Sequence, residues 1–290
     1  QMPYYSLDLT PLPPRRGMSC NVPKYDSLQV IGSRPSGGAE RFYVRLVQSL
    51  TASGHRTLAV NQPDSAVGEE LDAHCPQAKL RMRGVWDVLA RRRLAQLAKQ
   101  STAPIVQTFM GRATRLYRAG RRGPVHVARL GGFYDLSGYR HAHAWIGNTR
   151  GICDHLVKGG MDPARVYYIG NFVEPVTSTD KAASRSTFNI ASDDIVIGFV
   201  GRLHPNKGVK DLLSALAEIP HDIQSQSVRL VIAGDGPLRP ALEAFSASLN
   251  LNDRVTWAGW LSDPSSVYAA SDIVVCPSVH EPLGNVILEA

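Results

Sequence analysis

Two glutamates near the end of the chain, Glu281 and Glu289, are the residues whose types and spacing point most directly to chemistry. An apolar run precedes them and Gly284 lies between them, which predicts a strand, a loop and the start of a helix over residues 272–290. Ligands of a parallel α/β sheet bind outside the carboxyl ends of its strands, where the next helix presents free backbone N–H groups. Two carboxylates placed there could accept hydrogen bonds from hydroxyl groups of one ligand while the helix N-terminus binds its phosphate. A glutamate pair at this spacing would also fit a solvated helix.

A second group of candidates, Arg202 and Lys207, lies in a loop bounded by glycines. The loop follows a continuous hydrophobic run over 195–200, typical of a strand buried on both faces, and precedes a predicted helix over 209–219. Two cations in such a strand-to-helix loop could neutralise a diphosphate leaving group. The chain contains neither the P-loop pattern G-x-x-x-x-G-K-[ST] nor the dinucleotide pattern G-x-G-x-x-G, so the predicted phosphate site is of a different kind.

These motifs resemble those of a known family. The string EPLGNVILEA at 281–290 is similar to E-[PG]-[FL]-G-x-x-x-x-E-A, the E-x7-E motif of glycosyltransferase family 4, whose members are retaining enzymes of the group 1 type. GRLHPNKG at 201–208 is similar to the family's G-R-L-x-x-x-K-G, and GDGP at 234–237 to its turn beside the nucleotide. The resemblance implies the fold class α/β and, within it, the GT-B fold: two Rossmann-like β/α/β domains with the active site in the inter-domain cleft.

The resemblance also implies a role for each matched residue. Glu281 would face the donor sugar and Glu289 would bind the ribose hydroxyls, while Arg202 and Lys207 would bind the donor phosphates. Glu281, Arg202 and Lys207 are therefore the catalytic candidates. The predicted donor-nucleotide residues are Arg202, Lys207, Gly234, Gly236, Leu283, Gly284, Asn285 and Glu289.

Glycine-containing loops in the first half of the chain are predicted to face the same cleft. Gly37 and Gly38 follow a predicted strand and open a predicted helix, so the backbone could approach a ligand there, although a tight turn explains the pair equally well. The string GGAER that they begin is again similar to family 4. A further loop contains Gly131, at the position where many family members carry a histidine close to the reacting sugar carbon. His126, inside the preceding strand, is interpreted as a core histidine, which leaves the acceptor-side catalytic residue unassigned.

The positive charge of the chain is concentrated in one segment. The formal net charge is +7, but residues 81–130 contain twelve lysines or arginines and one acid, an excess of +11 that leaves the rest at −4. This distribution argues against a general polycation, and no nucleic-acid partner is predicted.

Part of this basic segment could lie on a membrane. A helix is predicted over 85–99, and its Arg91, Arg92 and Arg93 together with Trp86 suit an interfacial helix that meets anionic lipid headgroups. A solvated helix face is an equally acceptable interpretation.

A second part could bind the acceptor. Arg112, Arg115 and Arg118 follow one another at i, i+3 spacing, so on a helix they would form a stripe. Such a stripe could hold a phosphorylated or acidic acceptor, and a solvated stripe is the competing interpretation.

The length of 290 residues predicts two domains, and the hydrophobic content of 43% is sufficient for a core in each. We expect a poorly ordered extension at 1–26, an acceptor-binding Rossmann-like domain at 27–176, a polar linker at 177–190 and a nucleotide-sugar-binding Rossmann-like domain at 191–290. Strands and helices alternate throughout the last of these. Because the family continues with further β/α units after its second glutamate, this domain is expected to be incomplete, truncated at the C-terminus.

The predicted function is a retaining, hexosyltransferase-type glycosyltransferase that moves a sugar from a nucleotide-diphosphate sugar to an acceptor. The acceptor would be a lipid-linked or lipopolysaccharide-type glycan, with peripheral contact to anionic lipid at the inner face of the cytoplasmic membrane. No D-x-D occurs in the chain, so neither a metal nor another cofactor is expected. Four scattered cysteines and no visible signal peptide favour the cytoplasm.

Two other interpretations remain at this stage. A non-catalytic nucleotide-sugar-binding or scaffold protein would explain Gly131 and the expected missing segment. A GT-B sugar-nucleotide epimerase or a glycogen-type synthase would share the nucleotide motifs but not the basic first half.

Overall fold

The computed structural model describes residues 25–35, 37–71, 73–173 and 180–290. Most of the predicted N-terminal extension, residues 1–24, lies outside the described part of the chain. None of the described helices is long and apolar enough to cross a bilayer.

The first half of the described chain forms a parallel sheet covered by helices. Its strands are β1 (Ser27–Ile31), β2 (Thr57–Asn61), β3 (Gln77–Lys79), β4 (Ile105–Phe109), β5 (Val125–Leu130), β6 (Ala144–Gly147) and β7 (Val166–Tyr168). Its helices are α1 (Gly38–Ala52), α2 (Ala66–Glu70), α3 (Val88–Ser101), α4 (Met110–Leu116) and α5 (Arg150–Lys158), with 3-10 turns at Leu136–Gly138 and Pro163–Arg165. Among the described residues the sheet has seven strands in the order β3-β2-β1-β4-β5-β6-β7.

This sheet is buried on both faces, as its β-branched strands predict. Alternate residues of β1 point to opposite sides, so Val30 packs in the core beneath α3 and α4 while Ile31 packs beneath α1. The α1 side is filled by aromatic rings, among them Phe42 and Tyr43. The strands therefore hold α1 with its N-terminus at the carboxyl edge of the sheet.

Helix α3 begins later than the sequence predicts. The Asp87 side chain caps it by accepting a hydrogen bond from the Ala90 backbone N–H at 2.9 Å, so the helix begins at Val88. Trp86 consequently lies in the turn before the helix and is 86% exposed. Helix α5 is capped in the same way, because the Thr149 hydroxyl accepts from the Ile152 N–H at 3.2 Å.

The second half forms a smaller sheet. Its strands are β8 (Ile195–Val200), β9 (Asp222–Ile223), β10 (Gln226–Ala233), β11 (Val255–Gly259) and β12 (Ile273–Val274). Its helices are α6 (Lys181–Thr187), α7 (Val209–Glu218), α8 (Arg239–Ser248), α9 (Ser265–Ala270) and α10 (Asn285–Glu289), with a 3-10 turn at Pro205–Lys207. The order β11-β10-β8-β12 is parallel throughout, with helices on both faces.

One hairpin interrupts the predicted alternation of strands and helices in this half. Strand β9 pairs antiparallel with β10 through a turn at Gln224 and Ser225, whose φ angles of 52° and 68° are both positive. Positive φ at both turn positions fits the right-handed twist of paired strands. The sequence lacks the Asn-Gly or Asp-Gly signal that usually marks such a turn, so the hairpin was not predicted.

The predicted linker at 177–190 is corrected over most of its length. Its first three residues lie outside the described part of the chain, but α6 follows, capped by the Asp180 carboxylate. Arg185 on this helix is 4% exposed and donates a hydrogen bond to Asp272 at 2.7 Å. Small polar residues suggested a linker, whereas the buried side chains of Arg185, Phe188 and Ile190 make residues 180–190 part of the packing of the second sheet.

Candidate active site

The carboxyl ends of both sheets face one cleft with a cavity of about 480 Å³. On one wall, the loops that follow β1 and β5 contribute Gly37 and Gly131, and Met110, the first residue of α4, directly follows β4. Loops that follow β8 and β12 contribute Lys207 and Glu281 to the other. The cleft is therefore built where parallel sheets bind ligands.

The loop after β8 is packed tightly against the loop after β12. Gly208 has a φ of 64°, and a Cβ at this position would lie 2.1 Å from the carbonyl oxygen of Pro277, so only glycine fits. Asn206 fastens the two loops, because its side chain donates to the His280 carbonyl at 2.7 Å and its own carbonyl accepts from Val279 N–H at 3.0 Å. This packing brings the predicted phosphate-binding loop next to the first glutamate of the motif.

Lys207 and Glu281 form an ion pair in the cleft. The hydroxyl of Ser278 also contacts the same carboxylate oxygen at 3.2 Å. Arg202 is exposed in the cleft, and no described residue forms an ion pair with it. The wall thus presents two cations, one of them partly neutralised by Glu281, to any anion that enters.

Glu289 connects the two halves of the chain. One of its carboxylate oxygens accepts from Arg45 of α1 at 3.0 Å, and the other accepts from the Tyr268 hydroxyl at 2.8 Å. Burial and the adjacent carboxylate raise the pKa of Tyr268, so its hydroxyl stays protonated and can donate. Each carboxylate oxygen has a second acceptor site, so Glu289 can still accept hydrogen bonds from hydroxyl groups of a ligand.

Asn285 forms a second bridge across the cleft. Its side chain donates to the Gly38 carbonyl at 3.0 Å and accepts from the Asn171 side chain at 2.8 Å. The residue was predicted from the motif as a nucleotide contact, and the structure gives it partners in the other half of the chain. Its neighbours Leu283 and Gly284 line the cavity.

The two glycines of the GDGP turn differ in position. Gly234 lines the cleft with a φ of 138°, and a Cβ there would lie 1.8 Å from the Gly201 carbonyl oxygen. Gly236 is not among the lining residues, and a Cβ there would meet the Leu203 carbonyl oxygen at 2.5 Å. Close packing of two loops therefore explains the second glycine without a ligand contact.

On the opposite wall, Gly37, Gly38 and Gly131 all line the cavity. Gly37 precedes α1 and provides no side-chain cap, so the N–H groups of the first turn remain available to a ligand. A Cβ on Gly131 would find only the Asn148 side chain, at 3.5 Å. The glycine therefore leaves open space on this wall of the cleft.

Sequence reasoning missed Arg129 and Asn148, which line the cleft, and also Arg45 and Tyr268, which contact Glu289. Arg129 was counted only as part of the basic segment. An arginine inside the apolar strand VHVARL was the signal available for it, since a charge in a buried strand needs a reason. The contacts of Arg45 and Tyr268 had no sequence signal, because their partner is distant along the chain.

His126 is confirmed as a buried core residue. Its Nε2 lies 2.9 Å from the Thr108 hydroxyl, and its ring packs edge-on against Tyr117. Burial, with a smaller contribution from the adjacent His141, lowers the pKa of His126 to about 3. Its Nδ1 is buried without a partner among the described residues, at the amino end of β5 and away from the cleft.

The predicted arginine stripe is not a single surface. Helix α4 ends at Leu116, so Arg118 lies beyond it. Arg112 donates to the Gly32 carbonyl at 2.9 Å, while Arg115 forms an ion pair with Asp135 at 3.2 Å. None of the three arginines is among the residues that line the cleft, so the i, i+3 spacing was misleading here.

The Arg91-Arg92-Arg93 cluster also lies outside the cleft. Arg92 and Arg93 are exposed on α3, whereas the Arg91 Nε is buried without a partner among the described residues.

Solved structures with the same architecture identify the fold class. The structure of Anabaena HepE in complex with UDP superimposes with a TM-score of 0.75 at 21% identity, covering 91% of this chain and 77% of that one. At this identity the similarity shows the fold alone: two Rossmann-like units of the GT-B class, as the sequence predicts.

Sequence comparisons identify the family. The chain is 30% identical over 257 residues to the lipopolysaccharide core biosynthesis glycosyltransferase LpsE of Rhizobium meliloti, which covers 88% of this chain and 73% of that protein. The LpsD glycosyltransferase of the same organism is 27% identical over 256 residues, with 87% and 72% covered. Residues 180–290 match the family model described as glycosyl transferases group 1. The chain belongs to the group 1 glycosyltransferases.

Proposed function

We propose that this protein is a retaining hexosyltransferase that transfers a sugar from a nucleotide-diphosphate sugar to a lipopolysaccharide-type or lipid-linked glycan. The observation that carries the proposal is the wall on which Arg202, Lys207 and Glu281 face one cleft. Cations that meet a leaving group, beside a carboxylate that can accept sugar hydroxyl hydrogens, are what cleavage of a nucleotide–sugar bond requires. The names of the relatives LpsE and LpsD support the acceptor class.

In this proposal the diphosphate carries the developing charge. Lys207 and Arg202 would stabilise it as the glycosidic bond breaks, and the N-terminus of α10 at Gly284 would add its backbone N–H groups. Binding of the diphosphate would draw Lys207 from Glu281 and free that carboxylate for the donor sugar. Glu289 would hold the ribose through its remaining acceptor sites. Because the chain has no D-x-D, the proposed reaction proceeds without a metal.

The test is nucleotide release. Wild-type protein is offered UDP-, GDP- and ADP-sugars with a lipopolysaccharide or lipid-linked glycan extract, with EDTA or with added manganese. We expect the wild type to release nucleotide from one donor, with or without EDTA, and Glu289→Gln to release none. We also expect NMR to show that the product has the same anomeric configuration as the donor sugar. Tight donor binding without release under any condition would favour the nucleotide-sugar-binding module. Activity that requires manganese would overturn metal independence, and an inverted anomer would overturn retention.

We also propose that α3 binds the anionic lipid headgroups at the inner face of the cytoplasmic membrane. Trp86, Val88 and Leu89 are 86%, 55% and 65% exposed, which is unusual for three neighbouring large apolar side chains. Arg92 and Arg93 lie three and four residues after Leu89, so they share its face of the helix. An apolar patch bordered by cations matches the surface of a lipid headgroup layer.

Vesicle binding measures this contact. Arg92→Gln/Arg93→Gln is expected to weaken binding to phosphatidylglycerol-containing vesicles at low salt by roughly tenfold or more, since each cation near such a surface contributes about 1 kcal/mol. Trp86→Ser should weaken it as well by removing apolar contact. The matched control, Arg121→Gln/Arg122→Gln, removes the same charge from an exposed turn of the basic segment and should bind normally. The proposal would be contradicted if the two double variants lost vesicle binding equally, or if the wild type did not bind vesicles.

A further inference from the structure

The first-sheet wall of the cleft contains a buried cation. Arg129, near the carboxyl end of β5, is 5% exposed, and no described residue forms an ion pair with it. Its guanidinium lies 4.1 Å from the centre of the Phe42 ring. Burial lowers the pKa of Arg129 to about 10. A desolvated charge of this kind is unfavourable unless another group compensates it.

All the hydrogen bonds that Arg129 donates to described residues come from one nitrogen of its guanidinium, Nη2. Its Nη2 donates to the Ile169 carbonyl at 3.0 Å, the Gly170 carbonyl at 3.3 Å and the Asn171 side-chain oxygen at 2.9 Å. Its Nη1 and Nε have no partner among the described residues, and the residue lines the cleft. Neutral oxygens hold the guanidinium in place, and donors remain for a ligand.

Asn148 supplies the complementary acceptor. It is 6% exposed, it lines the same cavity, and its Oδ1 is buried with no partner among the described residues. Arg129 pairs with Ile146 in the parallel register, and Asn148 follows Ile146 by two residues, so both side chains belong to the same face of the sheet. A ligand group between them must offer an anion or acceptor to Arg129 and a hydrogen-bond donor to Asn148.

In the proposed reaction, the cations of the second sheet bind a different group from the one that Arg129 would bind. Arg202 and Lys207 lie on the opposite wall and would meet the donor diphosphate. Arg129 belongs to the wall that remains for the acceptor. A sugar that carries a carboxylate or a phosphate has an oxyanion and an adjacent hydroxyl, which is the combination that Arg129 and Asn148 complement.

We propose that the acceptor is an anionic sugar whose oxyanion binds Arg129 while a neighbouring hydroxyl donates to Asn148. The inference rests on the proposed glycosyl transfer and names its acceptor class. Glucose, glucuronate and glucose 6-phosphate are suitable probes, because they differ at carbon 6 and separate the carboxylate from the phosphate.

The experiment measures the dissociation constants of the three probes by calorimetry, with the donor site filled by UDP or GDP. A charged probe is expected to bind the wild type about tenfold to hundredfold more tightly than glucose, in line with a charge-assisted hydrogen bond. Preference for glucuronate identifies a carboxylate and preference for glucose 6-phosphate a phosphate. Arg129→Gln should abolish the preference, while the exposed Arg165→Gln, which removes the same charge outside the cleft, should keep it.

A second variant covers the case in which Arg129→Gln fails to fold. Asn148→Asp supplies a carboxylate to the site, so it should remove the preference while the thermal midpoint stays unchanged or rises. Equal binding of all three probes, or a preference that survives in Asn148→Asp, overturns the inference. So does a preference lost in Lys207→Ala but kept in Arg129→Gln, because the anion would then lie in the donor half. Nucleotide release is measured in parallel: release without a charge preference refutes the acceptor class alone, whereas no release with any donor refutes the proposed function.

Discussion

Lys207→Ala is expected to lower kcat for sugar transfer by about 100- to 1,000-fold, the range found when one donor to a developing negative charge is removed. The structure adds a reason for a large effect. Without Lys207, the Glu281 carboxylate would face the diphosphate with no paired cation, so repulsion would add to the lost attraction. Steady-state kinetics with the donor found in the release panel measures the loss.

Two further variants separate catalysis from packing. Lys210→Ala removes an exposed lysine three residues later, on α7 and outside the cleft, and should retain activity close to that of the wild type. Because Glu281 is itself assigned to the donor sugar, affinity for UDP or GDP, which lack that sugar, is measured for Lys207→Ala and for Lys207→Ala/Glu281→Ala. If Lys207 served only to neutralise Glu281, the double variant would regain wild-type affinity, whereas we expect both variants to bind the diphosphate weakly. Turnover of Lys207→Ala within threefold of the wild type would contradict the role assigned to it.

The sequence was most informative where chemistry depends on residues close together in the chain. The motifs EPLGNVILEA and GRLHPNKG each occupy one loop, so their composition predicted a strand, a phosphate-facing loop and a helix, and the structure has these elements. The parallel order of both sheets followed from the hydrophobic strands and the helices between them.

Contacts between distant residues could not be predicted in this way. Arg45 and Glu289 are separated by 244 positions, and either residue alone would suit a solvated helix. The bridge from Asn171 through Asn285 to Gly38 likewise joins a loop to the first residues of α10 and α1. These contacts depend on how the two sheets face each other, which single-sequence periodicity does not encode.

Short elements and surface charge were the other source of error. Strand β3 and helix α2 are too short for hydrophobic periodicity to register, so neither was predicted. The spacing of Arg112, Arg115 and Arg118 suggested one stripe, but α4 ends before the last of them. Element boundaries decided which charges share a surface, and capping residues and turns set those boundaries.

Acidification below pH 6.5 is expected to destabilise the fold through His126. The group is buried, and its pKa falls from 6.5 to about 3 on folding because of burial and the nearby His141, His143 and Arg118. Above pH 6.5 it is neutral in both states and has no effect. Below that pH the unfolded chain binds a proton that the folded protein does not bind, so stability falls by up to about 1.4 kcal/mol per pH unit until about pH 3.

His126→Gln tests this directly, because the amide can still hydrogen-bond to the Thr108 hydroxyl but does not titrate. Urea unfolding at pH 7.5 and at pH 5 should show the wild type losing about 2 kcal/mol more than the variant between the two conditions. The variant itself can be less stable at pH 7.5 without affecting the comparison, since only the pH dependence is compared. Parallel pH profiles for the wild type and His126→Gln would show that the buried imidazole accepts a proton without opening the core.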